Sequence, residues 1–145
     1  MKKLIILFIA IFMCGCSNKY IICKVEKKYD DYSFIGEYKV YHKKTFVTKI
    51  EKYEKYTSNN KDIIKYYSEY LDLDYLSLSD KYGGYEYNIY KEKDKVEVNC
   101  NINLSEVDLK QMVSDKYLSK YYVNKGKLSL GGIKLYYKDL GVSCN

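Results

Sequence analysis

"KVEVNCNINLSEVDLKQM" (residues 95–112) changes its period part-way through. Up to Leu104, the apolar Val96, Val98, Cys100, Ile102 and Leu104 alternate with Glu97, Asn99, Asn101 and Asn103. A period of two marks a strand with one face buried and the other in water. Cys100 falls on the inward face, where a cysteine behaves as a small apolar side chain. From Ser105 the alternation stops. "SEVD" (Ser105–Asp108) reads as a near capping box, with Asp108 at the usual Glu/Gln position, and opens a helix to about Val113. A half-buried strand that hands over to a helix points to an α+β fold: an antiparallel sheet with helices on one face.

The flanking sequence extends the same pattern. Tyr85–Lys91 and Lys95–Leu104 form a hairpin about "EKD", and Gly83-Gly84 is the clearest turn in the chain. Before it, Ile63, Tyr67, Leu71 and Tyr75 recur every four residues, flanked by Ile64 and Tyr70. That spacing predicts an amphipathic helix, with Ser58, Asn59 and Asn60 as candidate N-caps. Ile21–Tyr29 reads as a strand with Ile21, Cys23 and Val25 on one face. Phe34–Tyr41 and Thr45–Tyr56 make a hairpin about "HKK"; Phe34, Tyr38 and Val40 share a face, as do Phe46, Thr48 and Ile50. Val123–Leu130 is irregular or a short strand. Ile133, Tyr136, Tyr137 and Leu140 line one side of a last helix that Gly141 can stop. The predicted order is β-ββ-α-ββ-α-α, with about five strands in one domain over residues 21–145.

The chain opens Met1-Lys2-Lys3 and then runs Leu4–Met13 without a polar residue. This stretch is too short to span a bilayer, which takes about 20 residues. It matches the roughly 7–15-residue core of a secretory signal. A buried core helix is the alternative, but it would leave no polar face for water. "FMCGCSNKY" (residues 12–20) follows and resembles a bacterial lipobox, in which a small residue precedes an obligatory cysteine. Met13 before Cys14 is bulky and Gly15 before Cys16 is small, so the resemblance selects Cys16. It implies cleavage after residue 15, a diacylglyceryl thioether on Cys16, and a short tether over residues 16–20. Two acyl chains hold a protein stably where one does not. The protein is therefore expected at the extracytoplasmic face of the cell membrane, anchored by lipid.

The 145-residue chain carries a formal charge of +6, which falls to +4 once Lys2 and Lys3 leave with the signal. Every basic residue is lysine. Acids interrupt them, as in "EKYEKY" and "YKEKDKVE", and a mixed surface of this kind is a solvated one. Nucleic acid is not an expected partner: arginine, the usual reader of guanine edges, is absent. The expected partner is an unidentified protein or an envelope polymer. Cys23, Cys100 and Cys144 remain after the anchor. Cys23 and Cys144 sit near the two ends of the mature chain, and termini are often close in compact domains, so a Cys23–Cys144 disulfide is expected; three free thiols are the alternative.

No residue pattern specifies chemistry. His42, the only histidine, lies in "YHKK" without a partner Ser, Cys or carboxylate, and reads as a solvated turn residue. Asp72, Asp74 and Asp80 fail the calcium-loop pattern, because the sixth position counted from Asp72 is Ser77 where glycine is needed. No zinc spacing is present, and no cofactor or metal is expected. Tyr82, Tyr85 and Tyr87 gather near the Gly83-Gly84 turn and are candidate ligand-facing aromatics.

The lipobox, two hairpins with a helix between them, and "NLSEVDLKQM" after the last strand together resemble the YehR-like lipoproteins, small bacterial lipoproteins built on a domain of unknown function. The resemblance spans Phe34–Leu140 and brings no activity or catalytic residue. Cys23 and Cys144 are a departure from it; a Cys-bracketed lipoprotein group of low-GC Gram-positive bacteria fits those two residues as well. The expected function is that of a membrane-tethered, non-enzymatic binding domain. A small envelope hydrolase with a spatially assembled site is the alternative, and a structural or stress-related lipoprotein a third reading.

Overall fold

A computed structural model describes residues 19–145. The signal segment 1–15 and Cys16 lie outside the described residues. The strands are β1 (Lys19–Lys28), β2 (Ser33–Lys43), β3 (Phe46–Thr57), β4 (Tyr85–Lys91), β5 (Lys95–Asn103), β6 (Val123–Asn124), β7 (Lys127–Leu128) and β8 (Ser143–Cys144); the helices are α1 (Lys61–Tyr82), α2 (Leu109–Ser114) and α3 (Leu130–Asp139). Six strands form one antiparallel sheet in the order β4-β5-β3-β2-β1-β8. The five long strands are those the alternation predicts. The sixth, β8, is two residues that close the chain against β1, with Cys144 directly opposite Cys23. The two sulfurs lie 2.05 Å apart, at disulfide distance.

One face of the sheet is covered. Cys23, Val25, Tyr38, Val40, Ile50, Val96, Val98, Cys100 and Ile102 are buried there, under Leu71, Tyr75 and Leu78 of α1 and Ile133 and Tyr137 of α3. Burial of such side chains contributes about 1.5–3 kcal/mol each. Asn60 caps α1, its side chain accepting from the Asp62 amide at 2.9 Å, and Gly83 ends it at a positive φ of 69°. Helix α1 crosses from the end of β3 to the start of β4, passing over β5, which pairs with both.

Four local expectations are corrected. A bulge between Tyr41 and His42 sets Tyr41 opposite Lys49 and His42 opposite Val47, leaving Thr48 as the extra residue. The alternation resets there, so Val47 is buried and Thr48, expected inward, is exposed. The capping box is displaced. Asp108 is itself the N-cap, accepting from the Gln111 amide at 2.9 Å, while the Ser105 hydroxyl donates to Asn103. The chain before it is held against α1 by the Asp108 amide, which donates to the Tyr82 carbonyl at 2.8 Å, so the helix cannot start sooner. Tyr70 and Leu140 stand at about half exposure rather than in their helices' buried stripes; Leu140 falls just past the end of α3, as its C-cap.

Gly132 sets how closely α3 approaches the chain before β6. A Cβ there would stand 2.5 Å from Tyr122 Cα and 2.6 Å from its carbonyl oxygen, both backbone atoms that cannot swing aside. Gly132→Ala is expected to cost about 1–3 kcal/mol, read as a lower urea midpoint. The open Gly131→Ala, with nothing within 4 Å of its added carbon, should leave the midpoint within error.

Candidate functional site

β3 carries two charges on the buried face. Its inward positions after the bulge are Ile50, Lys52, Glu54 and Tyr56, facing Val40, Tyr38, Gly36 and Phe34 of β2. Glu54 is only 8% exposed. Its Oε1 accepts from the Tyr38 hydroxyl at 3.2 Å and lies 3.2 Å from Lys52 Nζ, and its Oε2 accepts from the Tyr75 hydroxyl at 3.0 Å. Both oxygens are thus satisfied, as a buried carboxylate requires. Lys52 Nζ also stands 4.9 Å from the centre of the Tyr75 ring. This pair corrects the reading of "EKYEKY" as a solvated mixed surface: two of those charges are in the core.

The Lys52 side chain keeps 21% exposure and lines a cavity of about 170 Å³. The sheet contributes Tyr38, Ile50, Glu54, Tyr85 and Ile102. The α1–α2 side contributes Leu78, Leu109 and Met112, and the α3 side Leu128, Ile133 and Tyr137, with Tyr117 and Tyr136 nearer solvent. The walls are mainly aliphatic and one end is polar, the usual make-up of a small-molecule site. The hydroxyls of Tyr85, Tyr117, Tyr136 and Tyr137 donate to no protein atom among the described residues, and no buried polar side-chain atom there lacks a partner, so these hydroxyls face open space.

Burial lifts the Tyr38, Tyr75, Tyr85 and Tyr137 phenols well above the ordinary tyrosine value, and pushes Tyr117 up to about 12. They are neutral donors at any physiological pH. Burial alone would lower the Lys52 ammonium. The Glu54 carboxylate, together with the Tyr75 and Tyr137 phenols, outweighs it and holds Lys52 well above the ordinary lysine range. Lys52 is therefore a fixed cation and no base. Cys100, on β5 opposite Lys52, is a buried thiol pushed up to about 12, again by burial first.

The three tyrosines singled out from sequence do not form one platform. Tyr85 lines the cavity. Tyr82 is buried and donates to Asp115 Oδ2 at 3.0 Å. Tyr87 stacks on Tyr75 with ring centres 5.4 Å apart and donates to Asp72 at 3.4 Å. His42 Nδ1 donates to the Lys44 carbonyl, 2.9 Å away, within its own turn. Lys52, Glu54, Tyr117 and Tyr137 were not singled out. The available signal was period two continued through β3, which puts Lys52 and Glu54 in phase with Ile50.

Comparison with solved structures places this arrangement. The NMR structure of YehR from E. coli superposes with a TM-score of 0.57 at 16% sequence identity, covering 88% of this chain and 92% of that one. The fold is YehR-like. An NMR structure of a protein from Streptococcus pneumoniae TIGR4 matches with a TM-score of 0.50 at 12% identity, over 89% and 87% of the two chains. No protein-family model matches the chain, and no curated protein matches it in sequence. At these identities the likeness to YehR is one of fold alone, and nothing is carried over about the cavity.

Glu54→Gln leaves the Lys52 ammonium in the core without its counter-charge. It should cost about 2–4 kcal/mol, and adding Lys52→Met should recover part of that loss; urea unfolding of the single and double variants tests this. The raised values of Lys52 and of the cavity phenols make stability fullest below their unfolded values, 10.5 and 10.0. The urea midpoint should hold steady from neutral pH and fall as the pH climbs past those values, because the unfolded chain then releases protons that the folded one retains.

Proposed function

We propose that this protein is an extracytoplasmic lipoprotein, held at the membrane by acyl chains on Cys16, whose domain binds a small amphiphilic molecule without transforming it. One observation carries the binding reading: a mainly aliphatic cavity that is also lined by Lys52, Glu54 and the phenols of Tyr85, Tyr117, Tyr136 and Tyr137, whose hydroxyls have no protein partner among the described residues. Its volume is close to the roughly 150 Å³ that takes one benzene ring. The ligand class that fits is a single ring or short chain with an oxygen head that accepts hydrogen bonds from phenols. The Lys2-Lys3 start, the Leu4–Met13 run and Gly15-Cys16 support export and anchoring. Sulfurs of Cys23 and Cys144 at disulfide distance suit an oxidising compartment.

The hydrolytic alternative has less behind it. No Ser, Thr, Cys or His lines the cavity, its one lysine is held protonated, and its one carboxylate is engaged by three donors. Neither an activated nucleophile nor a second carboxylate stands beside Glu54.

Titration with hexanoate and with hexanol, followed by amide NMR, should shift resonances around Ile102, Met112 and Ile133 and leave those around Tyr66 unmoved. Ile133→Phe, which fills the cavity, should weaken that binding by about tenfold or more. Mass spectrometry of the mature protein should find an N-terminal peptide that begins at an acylated Cys16. A peptide that begins at Met1 would contradict the export reading.

A further inference from the structure

Charge is not spread evenly over the folded domain. Between Glu37 and Glu51 there are four lysines, Lys39, Lys43, Lys44 and Lys49, and no acid. Between Asp115 and Asp139 there are six, Lys116, Lys120, Lys125, Lys127, Lys134 and Lys138, and again no acid. The fold brings the middles of these two stretches together. Phe46 bridges to Ser129, the Leu130 amide donates to the Thr45 carbonyl at 2.8 Å, and Lys127 Nζ stands 5.7 Å from the centre of the Phe46 ring. Lys43, Lys44 and Lys127 line one shallow depression, Lys125 stands in the adjoining β6–β7 turn, and no Asp or Glu lines that depression. All four are exposed, and none has an acid partner among the described residues. Residues 1–18 contain no acid that could supply one.

The first described residue, Lys19, joins the same end, paired in register with His42. Only two residues, Ser17 and Asn18, separate Cys16 from Lys19, a reach of about 10 Å at full extension. If the lipid is on Cys16, as the function proposed above requires, this end cannot leave the bilayer surface by much more than the Debye length, about 8 Å at physiological salt. The opposite end, where the β1–β2 and β4–β5 turns meet the start of α1, is mixed: Asp30, Asp31, Asp62, Glu92 and Asp94 stand among Lys28, Lys61 and Lys93.

We propose that Lys19, Lys43, Lys44, Lys125 and Lys127 form a docking face for an anionic phospholipid surface. The lipid tether delivers this face to the membrane, and its charge then fixes the domain's orientation upon it. Each lysine near an anionic leaflet strengthens attachment by about fivefold. The depression shares Leu104, Leu109 and Leu128 with the walls of the cavity, so the docked orientation sets that cavity on the bilayer side of the domain.

The test uses the acylated full-length mature chain, reconstituted on vesicles of phosphatidylcholine with or without phosphatidylglycerol and exposed to an amine-acetylating reagent. On anionic vesicles the labelling of the five lysines should slow by about fivefold or more and recover in high salt, while Lys61, Lys65 and Lys93 keep their rates. A variant with Lys43→Gln, Lys44→Asn, Lys125→Asn and Lys127→Gln removes four charges; asparagine suits positions 44 and 125, whose φ values are 55° and 50°. In that variant Lys19 should label equally on both vesicle types, with the urea midpoint unchanged. Equal labelling of the unaltered protein on both vesicle types overturns the proposal. So does protection by soluble polyglycerol phosphate but not by the anionic bilayer, which would assign the face to an envelope polymer. The N-terminal peptide mass from the same sample separates the two readings: an unmodified Cys16 overturns the anchor and the docking with it, whereas freely labelled lysines on an acylated chain overturn the docking alone.

Discussion

The Glu54 carboxylate is the interaction on which the two layers depend. It sits on β3, near the middle of the sheet, and it needs donors on both oxygens to be tolerated there. Tyr38 supplies one from β2, Lys52 another from two positions earlier on the same strand, and Tyr75 the third from α1. The separation of helix and sheet is thereby fixed by geometry as well as by apolar contact. Gly36 belongs to the same arrangement. It faces Glu54 across the ladder, and a Cβ there would lie 2.7 Å from the Tyr38 hydroxyl and 2.9 Å from Val25 Cγ1. The missing side chain is the space through which Tyr38 reaches the carboxylate.

A cluster of this kind need not maximise stability. An apolar replacement of similar volume often does as well, and a half-satisfied pair does far worse. Here it gives the core a polar end. The cavity begins where the packed aliphatic layer stops, and its donors are phenols that burial keeps neutral. The charge at that end is balanced within the protein, so a bound head group meets donors rather than a net cation.

Much of the architecture is legible in the chain. The clean alternation of β5, the four-residue spacing of α1 and the Asn60 cap are local signals that agree with the tertiary structure; short connections account for the β1–β2, β2–β3 and β4–β5 pairs, whereas the β3–β5 and β1–β8 pairs join segments distant in sequence. β3 was harder. Its outward row, Lys49, Glu51, Tyr53 and Lys55, and its inward Lys52 and Glu54 are equally polar by composition, so period two carries no contrast between faces. Only the tertiary partners, Tyr38 and Tyr75, make the inward placement tolerable, and neither is near in sequence. The bulge at Thr48 also takes Phe46 and Val47 out of phase with the rest of the strand, so that Ile50 alone marks the inward row. The cavity was not legible at all, since it depends on how three helices of different lengths meet one sheet. The lysine face was hidden for another reason: charge looks mixed along the chain and separates only when two acid-free stretches meet in space.

The attachment of β1 has a mechanical consequence. A pull on the chain before Lys19 acts along β1, whose ten residues all pair with β2. Strands drawn past one another in this way must break many rungs together, rather than unzip them singly. At Cys23 the same force can pass to Cys144, so that the last residues are drawn with the first strand instead of peeling from it. Force that enters through this end therefore meets paired strands in shear rather than a free edge that peels.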